Sequence, residues 1–144
     1  MKSFLDPPGL PRNDVYRHVS LVPLGDGTRL VHVAGQVSWD AEGTLVAAGD
    51  LAGQVEQCYA NVATALAAVG GTLRDVVDLT MYVADWRPEL IGDVVAGTDR
   101  AGERLGGTSA PPATLVGVAA LHVPEHLVEL KAVAVVGDAV GPAA

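Results

Sequence analysis

Apolar residues recur along this chain with two periods, and the places where one period gives way to the other mark its elements. Strand-like runs from Val19 to Pro23 and from Arg29 to Val33 flank Gly25-Asp26-Gly27-Thr28, which has the composition of a hairpin turn. A third short strand is predicted around Thr44 to Ala47, after the turn residues Asp40-Ala41-Glu42-Gly43. Leu51, Val55, Cys58, Val62, Leu66 and Val69 then fall at helical steps, with Asp50 placed to cap the start and Gly70-Gly71 to stop the end. Val76 to Val83 is rich in strand formers and predicts a return beside the first strands as a βαβ crossover. A second helix runs from about Glu89 to Leu105, with Leu90, Val94, Ala101 and Leu105 inward and Gly106-Gly107 at its end. Two closing strands, Thr114 to Leu121 and Leu127 to Val136, read as a pair joined by the loop His122 to His126.

The order β-β-β-α-β-α-β-β predicts an α+β fold, a mixed six-stranded sheet with two helices on one face. Residues 1–14, broken by Pro7, Pro8, Gly9 and Pro11, read as a surface arm without regular structure, residues 15–138 as one domain, and residues 139–144 as a tail. Val31, Val33, Leu79, Met81, Val83, Leu115, Val133 and Val135 give more apolar strand surface than two helices cover, so the sheet predicts self-association.

Composition narrows the function classes. With 144 residues and 49% hydrophobic content the chain buries a core without staples. A net charge of −8 with only nine scattered basic residues argues against a nucleic-acid partner. The single cysteine, Cys58, lies on the apolar stripe of the first helix and reads as a small core residue. No run approaches the ~20 apolar residues of a membrane span, and the expected setting is cytoplasmic. His122 and His126 flank Pro124 in a loop, while His18 and His32 lack partners at ligand spacing, so no metal is expected. Neither a phosphate loop, a dinucleotide fingerprint nor a serine elbow is present, and no cofactor is expected.

Several patterns in order point to one family. Val33-Ala34-Gly35-Gln36, the helix residues Gln54, Gln57 and Asn61, Thr80-Met81-Tyr82-Val83-Ala84-Asp85, Pro111-Pro112-Ala113-Thr114 and Val128-Glu129-Leu130-Lys131-Ala132-Val133-Ala134 together resemble the RidA family, the YjgF-like reactive intermediate deaminases. The resemblance runs from about Tyr16 onward. It implies a chorismate-mutase-like fold and a homotrimer whose sheets face inward as a barrel, with a small-molecule cleft at each subunit interface. It also implies hydrolysis of enamines and imines to ketones and ammonia.

By the same resemblance, Glu129 is the residue that positions water and acts as acid and base, and Tyr16 is the N-terminal pocket tyrosine. Gly35, Gln36 and Thr114 belong to the substrate-binding set. Ala34 stands where the family has a serine and Ala113 where it has a carboxylate-binding arginine. Losing that guanidinium removes a charge-assisted contact of roughly 1.5–3 kcal/mol. Tyr82 and Trp86 lie where strand-end aromatics line clefts, and Trp39 has the same standing. Arg17 or Arg87 is a candidate for a displaced cation. Read without the family, Glu129 is an exposed strand carboxylate. The expected function is therefore an enamine, imine or carbonyl hydrolase with an altered, more apolar pocket, and the alternative is a non-catalytic trimeric module that binds a metabolite or protein. Some relatives carry a ribonuclease label, for which this chain offers neither a basic stripe nor an aromatic stacking motif.

Overall fold

The structure, a computed structural model, describes residues 1–138; the tail assigned to residues 139–144 lies outside the described residues. In chain order the elements are β1 (Ser3–Leu5), β2 (Val19–Gly25), β3 (Thr28–Val37), α1 (Leu51–Ala67), β4 (Val76–Ala84), α2 (Ile91–Leu105), β5 (Ala113–Val118) and β6 (Val128–Val136). They form one six-stranded sheet in the order β1-β2-β3-β6-β4-β5, antiparallel throughout except for the parallel β4–β5 pair.

Local chemistry explains the boundaries. Asp26 (φ 52°) and Gly27 (φ 73°) adopt the left-handed conformation that a tight hairpin requires, and Gly25 pairs with Thr28 across the turn. Asp50 caps α1 by accepting the Gly53 N–H at 3.0 Å. Gly106, at φ 85°, terminates α2 and donates its N–H to the Gly102 carbonyl. The α2 glycines cost intrinsic helix stability, and one of them has a packing reason. A Cβ on Gly97 would lie 2.6 Å from Val55 Cβ and overlap the Ala52 carbonyl, so Gly97 lets α2 cross α1 in close contact.

One face of the sheet is dry. Val31, Val33, Leu79, Met81, Val83, Leu130, Ala132, Ala134 and Val136 alternate inward beneath α1, which covers β3 and β6, with α2 beside it. The other face carries no helix. There Val22 and Leu24 of β2, Val116 of β5 and Val135 of β6 remain exposed beside Ser20, His32, Thr80 and Lys131.

Four expectations change. The stretch from Thr44 to Ala47 makes only one bridge, Trp39 to Leu45, because the Asp40 side chain instead folds the loop by accepting the N–H groups of Glu42 and Thr44. The sixth strand is Ser3–Leu5 in the N-terminal arm, paired with Val19–Leu21, and Pro7 and Leu10 beyond it are buried. The crossover from β3 through α1 leaves room for β6, which inserts between β3 and β4. β5 and β6, consecutive in sequence, therefore do not pair, and β4 lies between them.

Candidate functional site

The site is built on an irregularity in β3. Val33 faces Ala132 and Gln36 faces Leu130, so Ala34 and Gly35 together oppose Lys131. Such a bulge bends the strand and re-aims its side chains. Gln36 supports it from behind: fully buried, it donates Nε2 to the Ala34 carbonyl at 3.0 Å and to His18 Nδ1 at 3.1 Å. His18 in turn donates Nε2 to the Pro11 carbonyl at 2.6 Å, which leaves Nδ1 free to accept.

Glu129, on β6 opposite Val37, extends its carboxylate over the bulge. A Cβ on Gly35 would overlap Glu129 Oε1, so the absent side chain there is what admits the carboxylate. The carboxylate enters a cavity of about 950 Å³ whose walls include Tyr16, Ala34, Gly35, Trp39, His122 and His126.

Amide side chains of α1 hold the loops that wall this cavity. Gln54 donates to the carbonyls of Ala47 and Glu125 and accepts the Leu127 N–H at 2.8 Å. Asn61 donates to the carbonyls of Val37 and Trp39, both at 3.0 Å, and Gln57 adds a bond to Trp39. The motif Gln54, Gln57, Asn61 is thus scaffolding: the buried Gln54 and Asn61 and the half-buried Gln57 tie loop backbone to α1. The Tyr16, His18, Trp39 and His126 rings form a row of edge-to-face contacts, with centroids 5.6, 6.2 and 6.4 Å apart in turn.

Burial raises the Glu129 pKa above its ordinary value, while the field of His122 pulls it down. Burial, then the Glu129 charge, raises the Tyr16 pKa and keeps the phenol protonated as a donor. Burial lowers the His126 pKa, favouring the neutral ring. Among the described residues, Trp39 Nε1 and His126 Nδ1 are buried without hydrogen-bond partners.

The structure brings Tyr16, Ala34, Gly35 and Glu129 together, with Trp39 beside them. Tyr82 stands across from Glu129 on β4 but is not part of the cavity wall in a single chain. Gln36 lies behind the bulge and does not line the cavity. Trp86 packs over Gly117, where a Cβ would come within 2.8 Å of it. Ala113 and Thr114 line a different cavity, of about 490 Å³, between α2 and the sheet, with Tyr59, Leu79, Met81 and Val94. In a single chain, then, Trp86, Ala113 and Thr114 do not share the Glu129 cavity, because β5 is the far edge strand, two places from β6. Arg17 is drawn to Asp6 at 3.5 Å and the Asn13 carbonyl at 3.1 Å, and Arg87 starts the short turn Pro88–Leu90. The sequence places His122 and His126 only in a loop; their place in the wall depends on Gln54 folding the loop back, which no local spacing reveals.

Residues 18–136 match the family described as endoribonuclease L-PSP, the YjgF/RidA family. The chain belongs to this family. Solved structures of the same fold include the YjgF gene product of Escherichia coli, at 25% identity and TM-score 0.74, with 94% of this chain and 98% of that chain covered. YyfB of Yersinia pestis, a protein of unknown function from the conserved Rid family, matches at 30% identity and TM-score 0.67 over 94% of this chain and 98% of its own. E. coli TdcF with bound serine matches at 21% identity and TM-score 0.74, over 93% and 98% of the two chains. As a YjgF/RidA protein the chain has the family's α+β fold, and no helix among the described residues is long and apolar enough to cross a membrane.

Proposed function

We propose that this YjgF/RidA protein hydrolyses a small enamine, imine or related carbonyl compound, with Glu129 as general acid and base. The observation that carries the reading is the Glu129 carboxylate, half-buried over the Gly35 backbone in a cavity shared with the Tyr16 phenol. A raised pKa keeps more of the acid form available near neutrality, which suits protonation of an enamine carbon. Glu129 gives its proton to that carbon, producing an iminium. The carboxylate then takes a proton from water as the oxygen adds to the carbon–nitrogen double bond, and collapse of the adduct releases ammonia and leaves the carbonyl. Tyr16 and the Gly35 backbone orient the substrate, and Tyr82 flanks Glu129 on the neighbouring strand.

Ala34 and Ala113 in place of a serine and an arginine make substrates that carry a carboxylate at the family's usual position poor ones for this chain. Serine bound to TdcF supports a small polar ligand for the fold. The exposed apolar residues on the helix-free face support a homotrimer that brings Ala113 and Thr114 of one subunit to the Glu129 cavity of another. The net charge of −8 weighs against RNA as substrate, and undetectable RNA binding at low salt is expected. A single buried thiol suits a reducing, cytoplasmic setting.

The test is ammonia release from a freshly generated 2-aminoacrylate-type enamine, with Ala113→Arg beside the wild type. Activity in wild type supports the hydrolase and means that a cation other than residue 113 serves it. Inactivity removes that substrate and directs the search to other ligands. The second reading, a non-catalytic binding module, is favoured by the same two alanines. Under it, Glu129→Gln leaves ligand affinity unchanged and no substrate turns over.

A further inference from the structure

A second cavity, of about 690 Å³, adjoins the Glu129 cavity, and Val15, Tyr16 and Ala34 line both. Its chemistry is different. Lys131, His32, Ser20, Arg17 and the carboxylate of Asp14 border it. Arg17 is engaged by Asp6 and Asp14 by Arg12 at 4.0 Å, whereas no ion pair holds Lys131 among the described residues. Lys131 follows Glu129 by two residues on β6, so both side chains project from the same face, with Cα atoms ~7 Å apart. The β3 bulge lies directly opposite Lys131. His32 faces Val133 and is thus the diagonal neighbour of Lys131, and Ser20 is the cross-strand partner of His32.

From this arrangement we propose that Lys131, with Ser20 and His32, forms an anion-binding subsite beside Glu129, which takes the carboxylate or phosphate of the ligand whose reacting carbon lies at Glu129. The proposal rests on the reading of Glu129 given above. Lys131, without an ion-pair partner among the described residues, places a point charge in this concavity, and its flexible stem adapts to the ligand's length. The missing arginine at position 113 is then offset by a cation on another strand, which meets the anionic group from a different direction. Ala34, small and shared by both cavities, keeps the passage between them open.

The test is titration calorimetry of the full chain with pyruvate, its neutral amide pyruvamide, and inorganic phosphate. The subsite predicts that Lys131→Met raises the Kd of pyruvate, of phosphate or of both by roughly ten- to a hundredfold, leaves pyruvamide unchanged, and is rescued by Lys131→Arg. Which anion responds distinguishes a carboxylate from a phosphate ligand. Equal anion affinities in wild type and Lys131→Met overturn the subsite, as does a wild type that binds neither anion. A parallel loss for pyruvamide, or a change in assembly mass on light scattering, overturns it in favour of a packing or interface role. Glu129→Gln keeps the two readings apart. Unchanged turnover in that variant removes the role of Glu129, whereas unchanged anion affinity in Lys131→Met removes the subsite.

Discussion

The two faces of the sheet obey different rules. Beneath α1 the side chains are dry and interlocked: Val33, Leu79, Val83, Leu130 and Ala132 are at most 5% exposed, and Gly97 exists because a neighbouring helix occupies the space its side chain would need. At the β3 bulge, glycine serves another purpose. Gly35 makes room for a carboxylate, and around it lie a phenol, two histidines, and an indole N–H without a partner. Removing a side chain admits apolar packing in one place and polar chemistry in the other. Glycine in the sequence therefore says that something approaches, and only the structure says what.

Substitutions at these two glycines should separate the faces. Beyond the loss expected of Glu129→Gln, the largest effect should come from Gly35→Ala. Its Cβ displaces the Glu129 carboxylate, and turnover should fall by roughly a hundredfold; Tm should move little by comparison. Gly97→Ala should do the reverse, lowering stability by about 1–3 kcal/mol in urea unfolding through overpacking against Val55, with turnover per folded molecule retained. If both variants lose activity and stability together, the contrast between the faces is lost.

Gln54→Ala joins the two regions, because it leaves the Leu127 N–H and the Glu125 carbonyl without the Gln54 amide and takes one of two donors from the Ala47 carbonyl. A stability loss of about 1–3 kcal/mol is expected, with faster amide exchange at Leu127. A smaller, pH-dependent effect belongs to Glu129 itself. Its folded-state pKa is raised, so its contribution to stability is fully present below the ordinary glutamate pKa and is lost as pH rises through the raised value. Glu129→Gln should therefore be more stable than wild type at neutral pH, with the gap closing as pH falls below the carboxylate range. A gap that widens on acidification reverses the sign and contradicts the burial argument. The smallest effect is at Cys58. Fully buried, with its thiol pKa pushed far up, it should stay unreactive to a thiol reagent until the protein unfolds.

Elements governed by neighbours in sequence are legible in the sequence itself. The Asp50 cap, the apolar stripe from Leu51 to Leu66, the turn at Asp26-Gly27 and the Gly106 stop all depend on residues within a turn of one another. Features set by long-range pairing are not. That β6 separates β3 from β4, and that β5 is an edge strand holding Ala113 away from Glu129, follow from a register that no local period encodes. The loop at Thr44 misled because its strand-forming residues compete with the side-chain bonds of Asp40. Of the site, Tyr16, Ala34, Gly35 and Glu129 were readable through family resemblance; His122 and His126 reach the wall only because Gln54 and its neighbours fold their loop back.

The most direct test of the central claim compares wild type and Glu129→Gln for ammonia release across a panel of freshly generated enamines, with and without an anionic group. The account predicts turnover of at least one substrate by wild type and a loss of roughly two to four decades in the variant. Equal rates in the two proteins would contradict it, because the carboxylate over Gly35 would then have no part in the chemistry.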